Sequence, residues 1–251
     1  MTAKLLYIEK RTRPDIETVI SFLTTRVDKS DKDDWKKLKR VIQYLKQRID
    51  DVRVIGCDNL KGLYTWIDAA YRVWLNMKSQ TGGCMSMRLG MIHCKLGKQK
   101  LNMKSLTESE IEGMSDYVPY SLWFKNFMKA QGYELCDNVV HQDNQSAMKM
   151  EINGRNSCAG NSRHIDIRFF FTEDRGDKGE MKIEYCPTYY RMVADHFTKP
   201  LQGKPFKFYR DIIMGYKHIK ELAKCEVDPI KERVGKPNKK CDRRNLACRK
   251  F

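Results

Sequence analysis

The part of the sequence that most constrains the fold runs from residue 63 to residue 200, where strand-like segments come first and then alternate with helical ones. Three strands are predicted at its start, one in LYTWIDAAY and two within CMSMRLGMIHCKLG, on either side of a turn at Leu89-Gly90. A helix is predicted over 107–130, followed by a strand in NVVHQD, a helix in NQSAMKMEI and a strand in MKIEYCP. This order predicts an α/β domain with a mixed sheet.

Further helices are predicted before, between and after these strands along the chain. Two fall within residues 14–48, and the second is expected to have one apolar face and Asp31 or Asp33 as its N-cap; the face consists of Trp35, Leu38, Ile42 and Leu45. HIDIRFFFTED favours a helix over a strand, RMVADHFTK a short helix and FKFYRDIIMGYKHIKELAK a longer one. From Lys217 onward there are 12 Lys or Arg and 5 Asp or Glu, a net charge of +7, and the polar tail is expected to be largely disordered.

The formal net charge of the chain is +16, which makes an anionic partner, nucleic acid first, the leading expectation. The alternative is a basic surface that serves only solubility. The nine cysteines are scattered and form no CxxC pair, which argues against a disulfide framework or a zinc site and favours reduced thiols. No apolar run has the length of a membrane span or a signal peptide, so we expect an intracellular protein, cytoplasmic or nuclear.

Four acidic residues stand where neither a loop nor an ordinary surface explains them. Asp68 lies inside an apolar strand, Glu110 inclines toward the apolar side of its helix, and Asp143 sits where a strand gives way to a helix. Asp195 is placed on a short amphipathic helix, one turn from Met192. On the helix of Glu110, the more polar side is assigned to Glu108 and Glu112.

Carboxylates that converge in a pocket of low dielectric repel one another, and a divalent cation offsets that cost. Oxygen ligands suit Mg²⁺ or Mn²⁺, and two such ions about 3.5–4 Å apart can promote phosphodiester hydrolysis. Spacing alone does not show that the four residues converge. Ordinary roles therefore stay open at this point: Asp143 as a helix cap, Asp195 as a surface acid and Glu110 as the partner of a lysine.

Several motifs, in the same order, resemble the C-terminal part of copia-type (Pseudoviridae) retrotransposon Pol polyproteins. HQDNQSAM is similar to that family's CDNQSAI, NSRHIDIRFFF to TKHIDIRYHF, ADHFTKPL to ADIFTKPL, and SLTESEIEGMSD to SSTEAEYMALSE. The segment PDIETVISFLTTRVDKSDKDDWKKLKRVIQYLK resembles the end of the reverse transcriptase, with its HWKALKRILRYLKGT. The resemblance covers residues 14 to 200.

The resemblance implies a ribonuclease H-like α/β fold, with a five-stranded mixed sheet, flanking helices and a short helical segment before it. It divides the chain into a helical remnant of the reverse transcriptase end at 1–55, a ribonuclease H-like domain at 60–203, and a C-terminal helix with a basic tail at 204–251. The implied activity is metal-dependent, endonucleolytic hydrolysis of the RNA strand of RNA–DNA hybrids. The implied partners are such a hybrid and a reverse transcriptase domain, with no membrane.

The family's site residues carry over onto positions that match its motifs. Asp68, Glu110, Asp143 and Asp195 fall on four carboxylates that bind two Mg²⁺ or Mn²⁺ ions. In that scheme Asp68 bridges both ions, Glu110 and Asp143 hold the first site, Asp143 orients the attacking water, and Asp195 completes the second site. Asp143 is expected to serve as helix cap and metal ligand together. Contacts to nucleic acid are expected from Asn144, Gln145, Ser146, Lys78 and Ser79.

The sequence departs from the family pattern in several places. The family's DxDW reads Asp68-Ala69-Ala70-Tyr71 here, and the loop that follows keeps only Lys78-Ser79 and a glycine of the usual pattern. Pro119 falls inside the helix of Glu110 and is expected to kink it. No YxDD-type polymerase motif is found, so DNA synthesis by this chain alone is not expected. Two alternatives to an enzyme stay open, an inactive nucleic-acid-binding remnant and a module that docks onto a polymerase.

Overall fold

A computed structural model describes residues 1–153 and 166–224. Five strands form one mixed sheet in the order β5-β3-β2-β6-β7; the strands of the described residues are β1 (Gly56–Cys57), β2 (Gly62–Ala70), β3 (Gln80–Ser86), β4 (Arg88–Leu89), β5 (His93–Lys98), β6 (Asp137–Gln142) and β7 (Lys182–Tyr185). The pairs β2–β3 and β3–β5 are antiparallel, whereas β2–β6 and β6–β7 are parallel. The predicted α/β class, with a five-stranded mixed sheet and flanking helices, is confirmed.

Helices cover both faces of this sheet. In the described part they are α1 (Thr2–Arg11), α2 (Glu17–Thr24), α3 (Lys32–Lys46), α4 (Leu106–Ala130), α5 (Gln145–Asn153), α6 (Asp166–Asp177), α7 (Thr188–Arg191), α8 (Asp195–Thr198), α9 (Gly203–Ile213) and α10 (Glu221–Lys224). Helix α4 packs on β2 and β3 from one side, and α8 contacts the same strands from the other. Strand β2 is therefore buried along almost its whole length, as its apolar sequence predicts.

Two glycines let the helices approach β3 closely. Gly82 pairs with Asp68 of β2, and an added Cβ there would lie 2.8 Å from Thr198 and 2.9 Å from Phe197. Gly83 faces the opposite side, where an added Cβ would lie 2.2 Å from the ring of Tyr117 on α4. A side chain at either position would force the covering helix away from the sheet.

Helix α4 continues through Pro119 to Ala130. Ser105 caps its N-terminus by accepting a hydrogen bond from the amide of Glu108. The predicted polar side of this helix is wrong for Glu112, which is buried. The reason is that α4 packs against the sheet and also against α5 and α6, so its buried surface is wider than a single stripe.

The N-terminal helices form a small apolar cluster of their own, made of Leu5, Ile16, Ile20, Phe22, Leu23, Leu38 and Val41. Asp31 caps α3, as predicted, together with Asp34 in a capping box. The predicted apolar face of α3 is wrong in part, because Trp35 is 61% exposed and Ile42 36% exposed. The helix turns Val41 and the buried Asp34 toward α2 instead, and Asp34 bonds to Arg26.

Two C-terminal helices are shorter than predicted. In RMVADHFTK, Arg191 is the last residue of α7 and a second helix begins only at Asp195. Met192-Val193-Ala194 between them is not helical and is buried in the core. The helix predicted from residue 205 ends at Ile213, because Gly215 has φ +81° and an added Cβ there would lie 2.1 Å from the carbonyl oxygen of Val54. HIDIRFFFTED is helical from Asp166, while His164 and the tail from residue 225 lie outside the described residues.

Among the residues described, no helix combines the length and apolar character that a membrane crossing requires. The five cysteines in this part of the chain, Cys57, Cys84, Cys94, Cys136 and Cys186, are free thiols.

Candidate metal centre

Asp68 lies near the end of β2, where the sheet is covered by α8. Its carboxylate is buried, and the hydroxyl of Thr198 donates a hydrogen bond to Oδ2. Burial is the largest cause that raises the pKa of Asp68, and the negative charge of Asp143 raises it further, against the attraction of Lys199. The central strand thus places an acid where its ionised form needs a cation.

Glu110 enters the same place from the first turns of α4. Its Oε2 accepts a hydrogen bond from the backbone amide of Ala69 at 3.1 Å, which ties it to the residue next to Asp68. Burial raises the pKa of Glu110 well above its usual value, and repulsion from Asp68 and Asp143 adds to the effect. The side chain is therefore positioned by strand backbone while one carboxylate oxygen stays available to a ligand.

Asp143 follows β6 directly, and the turn that holds it is built by its neighbours. The side-chain Oε1 of Gln142 accepts hydrogen bonds from the amides of Asp143 at 2.8 Å and Asn144 at 3.1 Å. The expectation that Asp143 caps the next helix is wrong. Asn144 is the cap, with Oδ1 accepting from the amides of Ser146 at 3.0 Å and Ala147 at 3.1 Å.

The carboxylate of Asp143 therefore does not cap α5 and can contact other groups. Its Oδ2 accepts a hydrogen bond from the hydroxyl of Thr188 at 2.9 Å. One oxygen from each of Asp68, Glu110 and Asp143 lies within 4.8 Å of the other two. Three carboxylates this close, two of them buried, fit a hard divalent cation, because the cation offsets the repulsion that raises the pKa values of Asp68 and Glu110.

Asp195 lies near these three carboxylates but is not among the residues whose oxygens lie within 4.8 Å of one another. It is buried at the start of α8, and Lys199, one turn later, donates a hydrogen bond from Nζ to its Oδ1. Burial raises the pKa of Asp195 to about 7, with repulsion from Asp68 as the next cause. Burial acts to lower the pKa of Lys199, but attraction to Asp68 and Asp195 outweighs it and the pKa is raised.

The remaining predicted contacts to nucleic acid are spread over two places. Gln145 and Ser146 are exposed at the N-terminus of α5, next to the carboxylates. Lys78 donates to the carbonyl of Lys100 at 2.6 Å. Ser79 does not suit the predicted contact, because it is buried and its hydroxyl accepts from the amide of Arg72 at 3.3 Å.

Several residues around the carboxylates escaped the sequence reasoning. Thr198 and Lys199 belong to the ADHFTKPL motif and could have been found there, whereas Gln142 and Thr188 carry no signal of their own. Glu151 on α5 is fully buried, neither carboxylate oxygen has a hydrogen-bond partner in the described part of the chain, and burial raises its pKa to about 8. His196, beside Asp195, faces away from the site and bonds the carbonyl of Asp15 at 3.2 Å.

Comparisons with known proteins agree with the resemblance. The chain is 27% identical over 211 residues to the Retrovirus-related Pol polyprotein from transposon TNT 1-94 of Nicotiana tabacum, which covers 83% of the chain and 16% of that protein. It is 25% identical over 204 residues to the Retrovirus-related Pol polyprotein from transposon RE2 of Arabidopsis thaliana, covering 78% and 13%. Homologues of the chain are thus copia-type Pol polyproteins of plant transposons, and the chain spans about a sixth of their length or less.

No model of a known protein family matches the chain. Among solved structures, ribonuclease H1 from the halophilic archaeon Halobacterium salinarum overlays on 50% of this chain and 86% of its own, with a TM-score of 0.32 and 13% identity.

Proposed function

We propose that this chain is a divalent-metal-dependent endonuclease that hydrolyses the RNA strand of RNA–DNA hybrids, as the ribonuclease H part of a retrotransposon Pol protein. The observation that carries the proposal is the approach of Asp68, Glu110 and Asp143, from three different elements, to within 4.8 Å. The ion pair of Asp195 with Lys199 lies beside them. The homologues, retrovirus-related Pol polyproteins of plant transposons, supply the context.

The residues of the chain are arranged to hold cations at a phosphodiester. Mg²⁺ or Mn²⁺, when bound, would supply an activated water and neutralise the charge that develops on the phosphate. Asp68 and Glu110 each have one oxygen fixed by a hydrogen bond from Thr198 and from the backbone of Ala69, respectively. The exposed Gln145 and Ser146 at the start of α5 are positioned to donate to a phosphate or a 2′-hydroxyl of the RNA strand.

The test is cleavage of an end-labelled RNA–DNA hybrid by the purified chain in Mg²⁺ and in Mn²⁺. We expect products from the RNA strand only, and loss of at least a hundredfold in rate for Asp143→Asn, as when one group of a catalytic set is removed. The control is Asp137→Asn, which changes an exposed acid at the start of β6, the strand that Asp143 follows. Equal cleavage by both variants, or cleavage without metal, would show that the three carboxylates are not the centre.

A second candidate function is nucleic-acid binding without hydrolysis. One observation favours it: the ammonium of Lys199 occupies an oxygen of Asp195, the residue expected to complete a second metal site. In that case a folded wild-type chain would bind the hybrid with the same affinity as Asp143→Asn and leave the RNA intact in both metals. Measuring RNA cleavage and hybrid affinity for the wild type and Asp143→Asn therefore distinguishes the two candidates.

A further inference from the structure

A cavity of about 270 Å³ lies between the N-terminal helices and the segment that follows α8. We call it the basic cleft and define it by its apolar floor, Val19, Tyr44, Leu201 and Phe206, and its cations, Lys37, Arg40 and Lys199. Lys199 belongs to both this cleft and the carboxylate site, since its ammonium bonds Asp195. The cleft therefore lies next to the carboxylate site, with Lys199 between them.

The floor of the basic cleft is aromatic and held in place. The ring of Phe206 stacks on His196 with centroids 5.2 Å apart and meets Tyr44 edge-on at 6.0 Å. The hydroxyl of Tyr44 is in turn bonded to Asp15 at 2.6 Å. A rigid aromatic and aliphatic surface of this kind binds flat rings at little entropic cost.

The cleft keeps a positive charge after the ion pairs of its cations are counted. Lys199 pairs with Asp195, and the ammonium of Lys37 lies 3.9 Å from a carboxylate oxygen of Asp34. The acid of the cleft, Asp15, is buried and already satisfied by Arg13, which donates from Nε and from a terminal nitrogen at 2.9 Å each. Arg40 is exposed, and the described residues provide it with no ion pair. The cleft therefore presents at least one uncompensated cation above an apolar floor.

We propose that the basic cleft binds an unpaired nucleotide tract that extends from the hybrid, an inference that rests on the proposed function. Bases within a duplex are stacked and paired, so a duplex can offer the cleft only phosphates and sugars. A single strand offers a phosphate to Arg40 and a free base face to the floor. Aromatic platforms beside basic side chains are how single strands are bound without sequence preference.

The test measures binding of the full chain by fluorescence anisotropy in EDTA, so that hydrolysis plays no part. Three probes are compared: a blunt RNA–DNA hybrid, and two hybrids that each carry a single-stranded DNA extension of about six nucleotides at one end or at the other. That length is within the span of one single-strand binding site. We expect the wild type to bind one extended hybrid roughly threefold to tenfold more tightly than the blunt one. The slope of log K against log salt should be steeper for that probe by about 0.7 for each added phosphate contact.

Arg40→Gln is expected to abolish this preference for the extended probe and to remove about 0.7 from its salt slope. The matched control is Lys39→Gln, which removes the same charge from the next residue, exposed on α3 and away from the cleft, and should keep the preference. Equal binding of blunt and extended hybrids by the wild type would overturn the inference, as would equal losses in the two variants. Failure of the proposed function would show separately, as intact RNA in Mg²⁺ with a protein that still prefers the extended probe.

Discussion

At the scale of single residues, Asp143 and Asn144 are neighbours with different partners. The amide oxygen of Asn144 satisfies two amides at the start of α5, while the carboxylate of Asp143 turns toward Asp68 and Glu110. We expect Asn144→Ala to lower the free energy of unfolding by about 1 kcal/mol and to keep the rise in Tm that Mn²⁺ produces. Asp143→Asn should keep the cap and lose the rise.

Thermal unfolding of both variants, with and without Mn²⁺, checks this division. If Asn144→Ala removed the effect of Mn²⁺ and Asp143→Asn did not, the assignment of cap and ligand would be reversed.

Glu151 gives a prediction of the same scale for the effect of pH. Burial raises its pKa to about 8, from 4.5, so between these values the folded protein holds a proton that the unfolded chain has released. Stability from this group is present below pH 4.5 and is lost as the pH rises toward 8. We expect the free energy of unfolding of Glu151→Gln to rise relative to that of the wild type, by roughly 2–4 kcal/mol between pH 5 and pH 8.5.

Urea unfolding at the two pH values measures the difference, with the exposed Glu134→Gln as the control for loss of one charge. A stability difference between Glu151→Gln and the wild type that does not change with pH would mean that Glu151 is not held protonated.

The sequence singled out Asp68, Glu110 and Asp143 because an acid inside an apolar pattern has few ordinary explanations. It could not foresee that Asn144, one residue later, takes the cap, since both residue types are good N-caps and the choice depends on the turn built by Gln142. Glu151 was out of reach for another reason. An acid in a short helical segment looks exposed until the helices that cover it are known.

At the scale of elements, the glycines of β3 set how closely the helices cover the sheet. Gly83→Ala would place a methyl group 2.2 Å from the ring of Tyr117. That ring is buried, and its hydroxyl forms a hydrogen bond with Nδ1 of His93. We expect the substitution to lower the free energy of unfolding by about 2–4 kcal/mol, at or slightly above the usual cost of overpacking. Gly97→Ala on the edge strand β5, where the nearest atom would be 3.9 Å away, should change it by less than about 1 kcal/mol.

Urea denaturation of the two variants provides the comparison. Equal losses would indicate that strand propensity, and not the approach of α4, determines the cost.

The predicted elements succeed where periodicity is strong and fail where tertiary contacts decide. Strand β2 and helix α4 follow from their sequences almost residue by residue. The helix after residue 205 ends early because Gly215 must approach Val54, a contact 161 residues back in the chain that no local pattern contains. Helix α3 presents a face that differs in part from the predicted one, because tertiary packing buries Val41 and Asp34, and Asp34 pairs with the half-buried Arg26 beyond the end of α2.

At the scale of the whole molecule, the N-terminal helices and the sheet are joined by polar contacts that are buried or half-buried. The carboxylate of Glu17 accepts hydrogen bonds from Lys10 at 2.6 Å and from the amide of Leu96 on β5 at 2.7 Å. The hydroxyl of Thr18 donates to the carbonyl of His196 at 2.8 Å, next to the carboxylate site. The domain boundary between residues 55 and 60 stays a prediction, and these contacts favour unfolding of the described parts as one unit.

Thr18→Val tests that coupling because it keeps the shape of the side chain and removes its hydroxyl. If the helices and the sheet open together, the loss of about 1 kcal/mol should lower the protection from hydrogen exchange of amides in both α2 and β2. The control is Thr24→Val, whose hydroxyl bonds only to Ser21 within the same helix. A loss of protection confined to α2 and α3 after Thr18→Val would mean that the N-terminal helices open alone. The basic cleft, which needs Arg40 and Lys199 on its two sides, would then exist only while they are closed.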